Sequence, residues 1–379
     1  MRILVLAADA FGGIGGIAQY NRDLLGALCA YPGVTEVVAV PRRAPLPPEP
    51  LPPKLTYATA GLNSKFRYFL TVGRCLVSPG NYDIICCTHL HLLPLAFLAR
   101  WKTGAPLVLF IYGIDAWKPP GRGLAARLSA RVDAVVSISE VTAQRFLGWA
   151  GVQREQVFIL PNAVETRHYG VGSKNPDLLQ RYGLTGKTVL LTLGRLNAME
   201  RYKGIDEVLE LLPALAERYP DIAYLIVGDG DDRDRLREKA GRLGVAERVV
   251  FAGFIPEAEK ADHYRLADAY VMPSQGEGFG FVFLEAMACG LPVLGSRLDG
   301  SREALRDGAL GVLVDPRDRE DLRRGLLEVL HRPRGVMPPG LNHFSPENFT
   351  RRCHDIVGQI LEKKKAFSSQ LSAISKNQD

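Results

Sequence analysis

Two carboxylates eight positions apart flank a glycine-rich turn in the C-terminal third of the chain. Glu277 lies before the turn Gly278-Phe279-Gly280-Phe281, and Glu285 lies after it. The apolar run that begins at the turn predicts a helix, whose first amide groups have no partner within the helix and can bind phosphate. Glu285 would lie about two turns into this helix and could reach hydroxyl groups on the same side. The pattern favours a site for a phosphate-bearing sugar or nucleotide.

Other residues of suitable chemistry follow predicted strands in the same half of the chain. Arg195 and Lys203 lie on one strand–loop–helix connection, where two cations favour anion binding. Gly228 forms part of a glycine turn after a second strand, and Phe254-Ile255 follows a third, where an aromatic ring could pack beside a base. In open α/β sheets, ligands bind at the carboxyl ends of the strands.

The glycines near the N-terminus allow a different interpretation. Gly13, Gly15 and Ala18 match a dinucleotide-binding fingerprint, but strand two ends in Arg42-Arg43 and lacks the acid that NAD binding favours. An NADP-dependent oxidoreductase is therefore an alternative. A tight strand-to-helix turn needs glycine in any α/β domain, and the loop would also let a phosphate or sugar approach backbone amides.

Charge is distributed unevenly along the 379 residues. The net charge is +6, and residues 1–165 contain 16 Lys and Arg against 10 Asp and Glu, so the whole excess lies there. This indicates either a solvated basic face or a surface for an anionic membrane or lipid phosphate. Nucleic acid is disfavoured because the basic clusters are dispersed and lack interleaved aromatic residues.

Six cysteines without a C-x-x-C pair suit reduced thiols in a cytosolic protein. The N-terminal apolar run is too short for a signal peptide, and no run approaches the ~18 residues of a membrane span.

Short β-branched runs alternate with helical patterns, which predicts an α/β fold of two doubly wound Rossmann-like domains. The boundary lies near Pro161–Glu165, giving domains 1–165 and 166–345. A last helix over 346–365 is expected to pack back on the first domain, and 366–379 to form a flexible tail.

The order of these motifs resembles retaining glycosyltransferases of family four, also called group 1, which have the two-domain GT-B fold. The matching stretches are Gly194-Arg195, Lys203-Gly204, Val227–Gly230, the segment from Pro273 through Val293 that contains the two carboxylates, and Gly311–Pro316. The resemblance implies two Rossmann-like domains facing each other across a cleft. The N-terminal domain would bind the acceptor and the C-terminal domain the nucleotide-sugar donor.

The resemblance also implies roles for individual residues. Arg195 and Lys203 would hold the diphosphate, with Glu277 near the transferred sugar, and these three form the expected catalytic set. The expected donor-binding residues are Gly228, Phe254, Ile255, Gly278, Phe279, Gly280, Phe281 and Glu285. On the acceptor and sugar side the expected residues are Gly15, Gly16, Gln19, Tyr112 and Asp115. No metal and no cofactor are expected, since the nucleotide-diphosphate sugar is a co-substrate.

Two segments depart from the family pattern. Tyr112 stands where the family often has a histidine, so a sugar contact by that histidine does not carry over. Residues 296–303 replace the paired glycines that commonly precede a glutamate, which affects sugar-hydroxyl recognition more than the phosphate site.

The predicted function is metal-independent, retaining transfer of a hexose from a UDP- or GDP-sugar to a glycan or polyprenyl-linked acceptor in cell-surface or exopolysaccharide assembly. The protein is expected in the cytoplasm, on the inner face of the membrane in peripheral contact with anionic lipid, and without a nucleic-acid partner. Alternatives are a GT-B phosphorylase, a nucleotide-sugar epimerase, an NADP-dependent oxidoreductase and a non-catalytic nucleotide-sugar binding protein.

Overall fold

The computed structural model describes the backbone of residues 1–121 and 124–376, with side chains to residue 366. The chain divides into two compact units. The first consists of Met1–Ala163 with the helix that begins at Pro346, and the second consists of Val164–Ser345. Each unit contains one parallel sheet whose strands are connected by helices. The predicted pair of doubly wound, Rossmann-like domains is thereby confirmed.

The sheet of the first unit has seven strands in the order β3-β2-β1-β4-β5-β6-β7. The strands are β1 (Arg2–Ala7), β2 (Glu36–Pro41), β3 (Leu55–Tyr57), β4 (Ile84–Cys87), β5 (Leu107–Ile111), β6 (Ala134–Ser137) and β7 (Val157–Ile159). Strands β4, β5 and β6 are buried along their whole length, as expected where helices cover both faces. Sequence analysis missed β3, because three residues with an exposed centre carry little apolar signal.

The α-helices that connect these strands, among the described residues, are α1 (Gly16–Ala30), α2 (Lys65–Val77), α3 (Leu93–Thr103), α4 (Leu124–Ser129) and α5 (Glu140–Ala150). The proline-rich loop that follows β2 has no regular structure, since proline lacks the amide that helices and sheets require.

The sheet of the second unit has six strands in the order β10-β9-β8-β11-β12-β13. The strands are β8 (Thr188–Leu193), β9 (Ile222–Val227), β10 (Val249–Gly253), β11 (Ala269–Val271), β12 (Val293–Ser296) and β13 (Val312–Val314). Because β8 pairs with both β9 and β11, the loops that follow these three strands lie side by side. This arrangement positions the candidate site.

The helices of the second unit are α6 (Thr166–Tyr169), α7 (Pro176–Arg181), α8 (Ile205–Arg218), α9 (Arg233–Arg242), α10 (Lys260–Arg265), α11 (Phe281–Ala288), α12 (Ser301–Ala304) and α13 (Arg319–His331). Their apolar faces cover the sheet. In α8, for example, Val208 and Leu212 are fully buried at helical spacing.

The final helix, α14 (Pro346–Lys376), returns to the first unit. The ring of Phe349 packs edge-on against Tyr20 of α1, with 5.4 Å between the ring centroids. The helix continues beyond the predicted end at residue 365. The predicted flexible tail therefore corresponds to helical backbone up to Lys376, while residues 377–379 lie outside the described residues. Within the part of the chain that is described, no helix is both long and apolar enough to cross a bilayer.

Candidate active site

The loops after β8 and β11 bring Lys203 close to Glu277, and Glu200 links Lys203 to Arg195. Nζ of Lys203 lies 2.7 Å from Oε2 of Glu200, and the guanidinium of Arg195 forms an ion pair with Oε1 of the same carboxylate. Lys203 is 9% exposed, whereas the Arg195 side chain is 78% exposed. Sequence analysis missed Glu200, although an acid between the two cations was an available signal.

Close backbone contacts fix the β8–α8 loop against the loop of Glu277. The amide of Gln275 donates to the carbonyl of Tyr202 at 2.7 Å. Gly204 has φ +82°, and a Cβ there would lie 2.3 Å from the carbonyl oxygen of Pro273, so only glycine fits. Lys203 is thereby held beside the second loop.

Asp299, which follows β12, organises the Glu277 loop. Its fully buried carboxylate accepts hydrogen bonds from the Glu277 amide at 2.8 Å, from Ser274 Oγ at 2.6 Å and from Ser301 Oγ at 2.5 Å. The amide of Gly300 returns a hydrogen bond to the Glu277 carbonyl at 2.9 Å. The 296–303 loop, which sequence analysis treated only as a departure from the family, therefore supports the predicted catalytic residue.

The electrostatic environment of Glu277 is mixed. Burial raises the pKa of its carboxyl to about 7, Lys203 opposes that increase, and Asp299 adds to it. A carboxyl with this pKa can be present in either protonation state near neutral pH. This behaviour fits a group beside reacting atoms, although structural carboxyls can also be perturbed.

The turn after Glu277 leads into α11, with Gly280 as its N-terminal cap. Gly278 and Phe281 lie beside this cap. The ring of Phe279 is buried against Phe344, with 5.5 Å between the centroids, so its backbone rather than its side chain is available to a ligand. The first amides of α11 lie where the sequence predicted anion-binding groups, and that role stays a prediction.

Glu285 occupies the buried face of α11. Its Oε1 accepts from Nζ of Lys260 at 2.9 Å, and its Oε2 accepts from the hydroxyl of Tyr264 at 2.7 Å. Sequence analysis did not identify either partner. The carboxylate is thus held in place by two donors while lone pairs remain for a ribose hydroxyl, and its ribose role stays a prediction.

The predicted base-binding residues lie at the ends of β9 and β10. Gly228 approaches Gly194 so closely that a Cβ would lie 1.9 Å from the Gly194 carbonyl oxygen. Its amide donates to the Gly253 carbonyl at 2.8 Å, which places the neighbouring Phe254 and Ile255 near the same edge. The ring of Phe254 is 73% exposed and presents a free surface on which a base could stack.

The predicted acceptor-side residues lie in the first unit. Gly15 and Gly16 are exposed at the start of α1, and a Cβ on Gly15 would meet open space. Gln19 is engaged within its own helix, since its Nε2 donates to Asp23 at 3.0 Å and its Oε1 accepts from Arg22 at 2.7 Å. The backbone amides of the two glycines are therefore more available for contact with a ligand than the Gln19 side chain is.

Tyr112 is largely buried and packs edge-on against Tyr20 at 5.2 Å. Its hydroxyl donates to Oδ1 of Asn21 at 2.7 Å, and Asn21 donates in turn to the carbonyl of Asp9 at 2.7 Å. These contacts give the ring a packing role and leave little of its surface for a sugar.

Two carboxylates near Tyr112 each have one oxygen without a hydrogen-bond partner among the described residues. Asp9 follows β1 and Asp115 follows β5. Oδ1 of Asp9 and Oδ2 of Asp115 are buried without a hydrogen-bond partner among the described residues. Burial raises the pKa of both groups, that of Asp115 to about 7. They could accept hydroxyl groups of an acceptor, and Asp9 was not identified from sequence.

Among the described residues, no group of three or more His, Cys, Asp or Glu side chains could hold a metal ion. The groups predicted to bind a diphosphate are Arg195, Lys203 and the first turn of α11.

Comparison with known proteins finds a matching family model for each unit. Residues 14–168 match the model described as Glycosyltransferase Family 4, and residues 176–341 match the model described as Glycosyl transferases group 1.

Several characterised relatives are similar in sequence. The GDP-mannose-dependent alpha-(1-6)-phosphatidylinositol monomannoside mannosyltransferase of Mycolicibacterium smegmatis is 33% identical over 292 residues, covering 72% of this chain and 75% of the relative. The phosphatidyl-myo-inositol mannosyltransferase of Mycobacterium tuberculosis is 43% identical over 176 residues, 45% of this chain and 44% of the relative. The D-inositol 3-phosphate glycosyltransferase of Acidothermus cellulolyticus is 30% identical and covers 79% of this chain and 69% of the relative.

Solved structures share the fold. HepE of Anabaena in complex with UDP aligns with a TM-score of 0.66 at 21% identity, covering 98% of this chain and 100% of that one. The lipopolysaccharide outer core galactosyltransferase WaaB aligns with a TM-score of 0.69 at 19% identity, covering 95% and 99%. At these identities the likeness concerns the fold alone, which is GT-B.

Proposed function

This chain belongs to glycosyltransferase family 4, and on that premise we propose that it transfers mannose from GDP-mannose to an inositol-containing phospholipid with retention of anomeric configuration. The observation that carries the proposal is the convergence of Arg195, Lys203 and Glu277 at the carboxyl edge of the second sheet. The mannosyltransferase relatives support the choice of donor and acceptor.

On the donor side, Arg195, Lys203 and the first amides of α11 would bind the diphosphate. Glycosyl transfer develops negative charge on the departing diphosphate, and fixed cations and amide dipoles stabilise such charge. Glu285 would accept the ribose hydroxyls, and Phe254 would stack on the base.

These groups supply the electrostatic help that transfer requires, so the proposed reaction is metal-independent. In a retaining reaction the acceptor hydroxyl attacks from the face that the leaving phosphate occupies, and that phosphate accepts the proton. Glu277 would stabilise positive charge on the sugar ring when it is ionised.

On the acceptor side, the amides of Gly15 and Gly16 would approach a phosphate or a ring hydroxyl. Asp9 and Asp115 would accept hydroxyls through the oxygens that have no partner. A ring with several hydroxyls next to a phosphate, as in an inositol phospholipid, suits this combination of groups. Tyr112 would support them through Asn21.

A lipid acceptor requires contact with a membrane, and α2 with α3 provides a suitable face in the first unit. Phe66, 71% exposed, and Phe69 project from α2, and Trp101, 83% exposed, lies beside Lys102 on α3. Residues 50–132 contain ten Lys and Arg and only two Asp. Exposed aromatic rings amid cations favour peripheral binding to anionic lipid, on the cytoplasmic leaflet.

The test is a transfer assay on purified protein. GDP-mannose, UDP-glucose and UDP-N-acetylglucosamine are each supplied with phosphatidylinositol in mixed micelles, or with D-inositol 3-phosphate. We expect a lipid product from GDP-mannose, with an α linkage by NMR. A β linkage would reject retention, and transfer only to D-inositol 3-phosphate would reject the lipid acceptor.

Other outcomes would favour another class of function. Phosphate-dependent breakdown of a glycan would indicate a phosphorylase. Formation of an epimer in the absence of acceptor would indicate an epimerase. Binding of GDP-mannose without any transfer would indicate a non-catalytic protein.

A further inference from the structure

Lys203 is nearly buried, and a buried ammonium group requires an anion nearby. Glu200, three residues earlier, is the anion in ion-pair contact with it, at 2.7 Å. The Lys203 side chain also packs on the backbone, because a Cβ on Gly194 would lie 3.2 Å from its Nζ. Its ammonium group is thus fixed, and among the described residues Glu200 is the carboxylate in ion-pair contact with it.

The same Glu200 carboxylate also pairs with Arg195. One carboxylate therefore bridges the two cations, and each of its oxygens contacts one of them. In the proposed donor complex, the diphosphate would make these same two contacts.

The local charges do not favour both anions at once. Arg195 and Lys203 carry two positive charges, of which Glu200 already neutralises one. Glu277 adds a further acidic group that interacts with Lys203, and Asp299 in turn lies close to Glu277. A diphosphate placed beside an ionised Glu200 would meet like-charge repulsion in a partly buried site, where screening is weak.

The backbone at Glu200 does not lock its side chain into a helix. Residues Ala198–Lys203 form a short 3-10 turn interrupted at Glu200, which has φ −115° and ψ 26°. Met199, beside it, is largely exposed. The carboxylate can leave its two partners without disrupting a longer element.

We propose that Glu200 is the resident anion of the donor site: it pairs Arg195 with Lys203 in the free protein and is displaced when the nucleoside diphosphate binds. Donor binding is then an exchange of one anion for another. The inference rests on the proposed function and adds to it a residue that sets donor affinity without contacting the donor.

The test is calorimetric titration of the full chain with GDP, pyrophosphate and guanosine. In Glu200→Gln we expect about three- to tenfold tighter binding of GDP and of pyrophosphate, because the competing charge is removed. Guanosine binding stays unchanged because guanosine carries no phosphate. The melting temperature of the free variant falls, since Lys203 loses its partner.

Glu328→Gln is the matched control, because Glu328 forms an exposed ion pair with Arg332 at 2.8 Å away from the site. It should change neither GDP affinity nor melting temperature. Should Glu200→Gln not fold, Glu200→Asp serves instead, since the shorter side chain cannot bridge both cations and GDP affinity should still rise.

Unchanged or weaker GDP binding in the folded Glu200 variant would overturn the inference and assign Glu200 to holding Lys203 in place. That result leaves the proposed function intact as long as the wild-type protein binds GDP and Arg195→Ala weakens this binding. If the wild-type protein binds none of GDP, UDP and ADP, the proposed donor site is itself wrong, and the inference is overturned with it.

Discussion

Oδ2 of Asp299 accepts a hydrogen bond of 2.8 Å from the backbone amide of Glu277. The two residues are 22 positions apart in sequence, yet the buried aspartate determines where the loop of the predicted catalytic carboxyl lies. The position of Glu277 therefore depends on a loop from the neighbouring strand.

Replacing Asp299 with alanine should destabilise the second unit. The amide of Glu277 and the hydroxyls of Ser274 and Ser301 would lose their acceptor, which costs on the order of 3 kcal/mol in the free energy of unfolding. Chemical denaturation measures the change. Glu238→Ala, which removes an exposed ion pair with Arg242 on α9, should cost less than about 1 kcal/mol. Equal effects of the two variants would contradict the supporting role of Asp299.

The free energy of unfolding should depend on pH in part through the protonation of Glu277. Its pKa rises from 4.5 in the unfolded chain to about 7 in the folded protein, so the folded state binds more protons between these values. This contribution to stability is fully present below about pH 4.5 and is lost as the pH rises through about 7. Relative to Glu277→Gln, wild-type protein should lose up to ~3 kcal/mol across that window. Parallel stability curves for the two proteins would refute the prediction.

Removal of either donor-site cation should impair transfer. Arg195→Ala or Lys203→Ala loses a charge that would stabilise the leaving diphosphate, so kcat/KM should fall by about 10²–10³. Arg201→Ala is the matched control, because Arg201 lies between them in sequence but pairs with Asp232 at 2.9 Å. Steady-state kinetics with GDP-mannose compares the three. A loss in Arg201→Ala equal to that in Arg195→Ala would indicate a general effect of the loop.

The face formed by α2 and α3 should bind anionic vesicles. Replacing Phe66 and Phe69 together by serine should weaken co-sedimentation with phosphatidylserine vesicles by about tenfold, since the rings can no longer enter the interface. Binding of the wild-type protein should also weaken in about 0.5 M salt. Val336→Ser, an exposed apolar residue of the second unit, should have no effect. Unaltered binding of the double variant would place the membrane contact elsewhere.

The architecture was largely predictable from sequence because buried parallel strands leave apolar runs of characteristic length. The donor-side motifs were found for a related reason: Lys203-Gly204 and Glu277 are placed by local turns whose glycines are visible in the sequence. The C-terminal end of α14 was harder to predict from sequence, since the polar residues beyond 365 resemble a flexible tail as much as a helix.

What sequence analysis missed depends on contacts between distant segments. Asp299 acts through a loop that returns from β12, and Lys260 and Tyr264 reach Glu285 from α10. Asp9 gains its significance from burial and from one carboxylate oxygen that has no hydrogen-bond partner among the described residues. Neither property is apparent in a local motif. The packing of Tyr112 on Tyr20 likewise depends on the return of α1 to the sheet.

The close approach of main chain to main chain at Gly204, Gly228 and Gly300 has a consequence for how this protein can change over evolutionary time. A Cβ at these glycines would lie 2.3 Å, 1.9 Å and 2.0 Å from a neighbouring carbonyl oxygen, so mutation there meets a steric barrier that no nearby side chain can relieve. Exposed rim residues such as Phe254 meet no such barrier. Under the proposed function, new donor preferences can therefore arise by substitution of exposed residues such as Phe254, while the backbone shape at the three glycines is inherited unchanged.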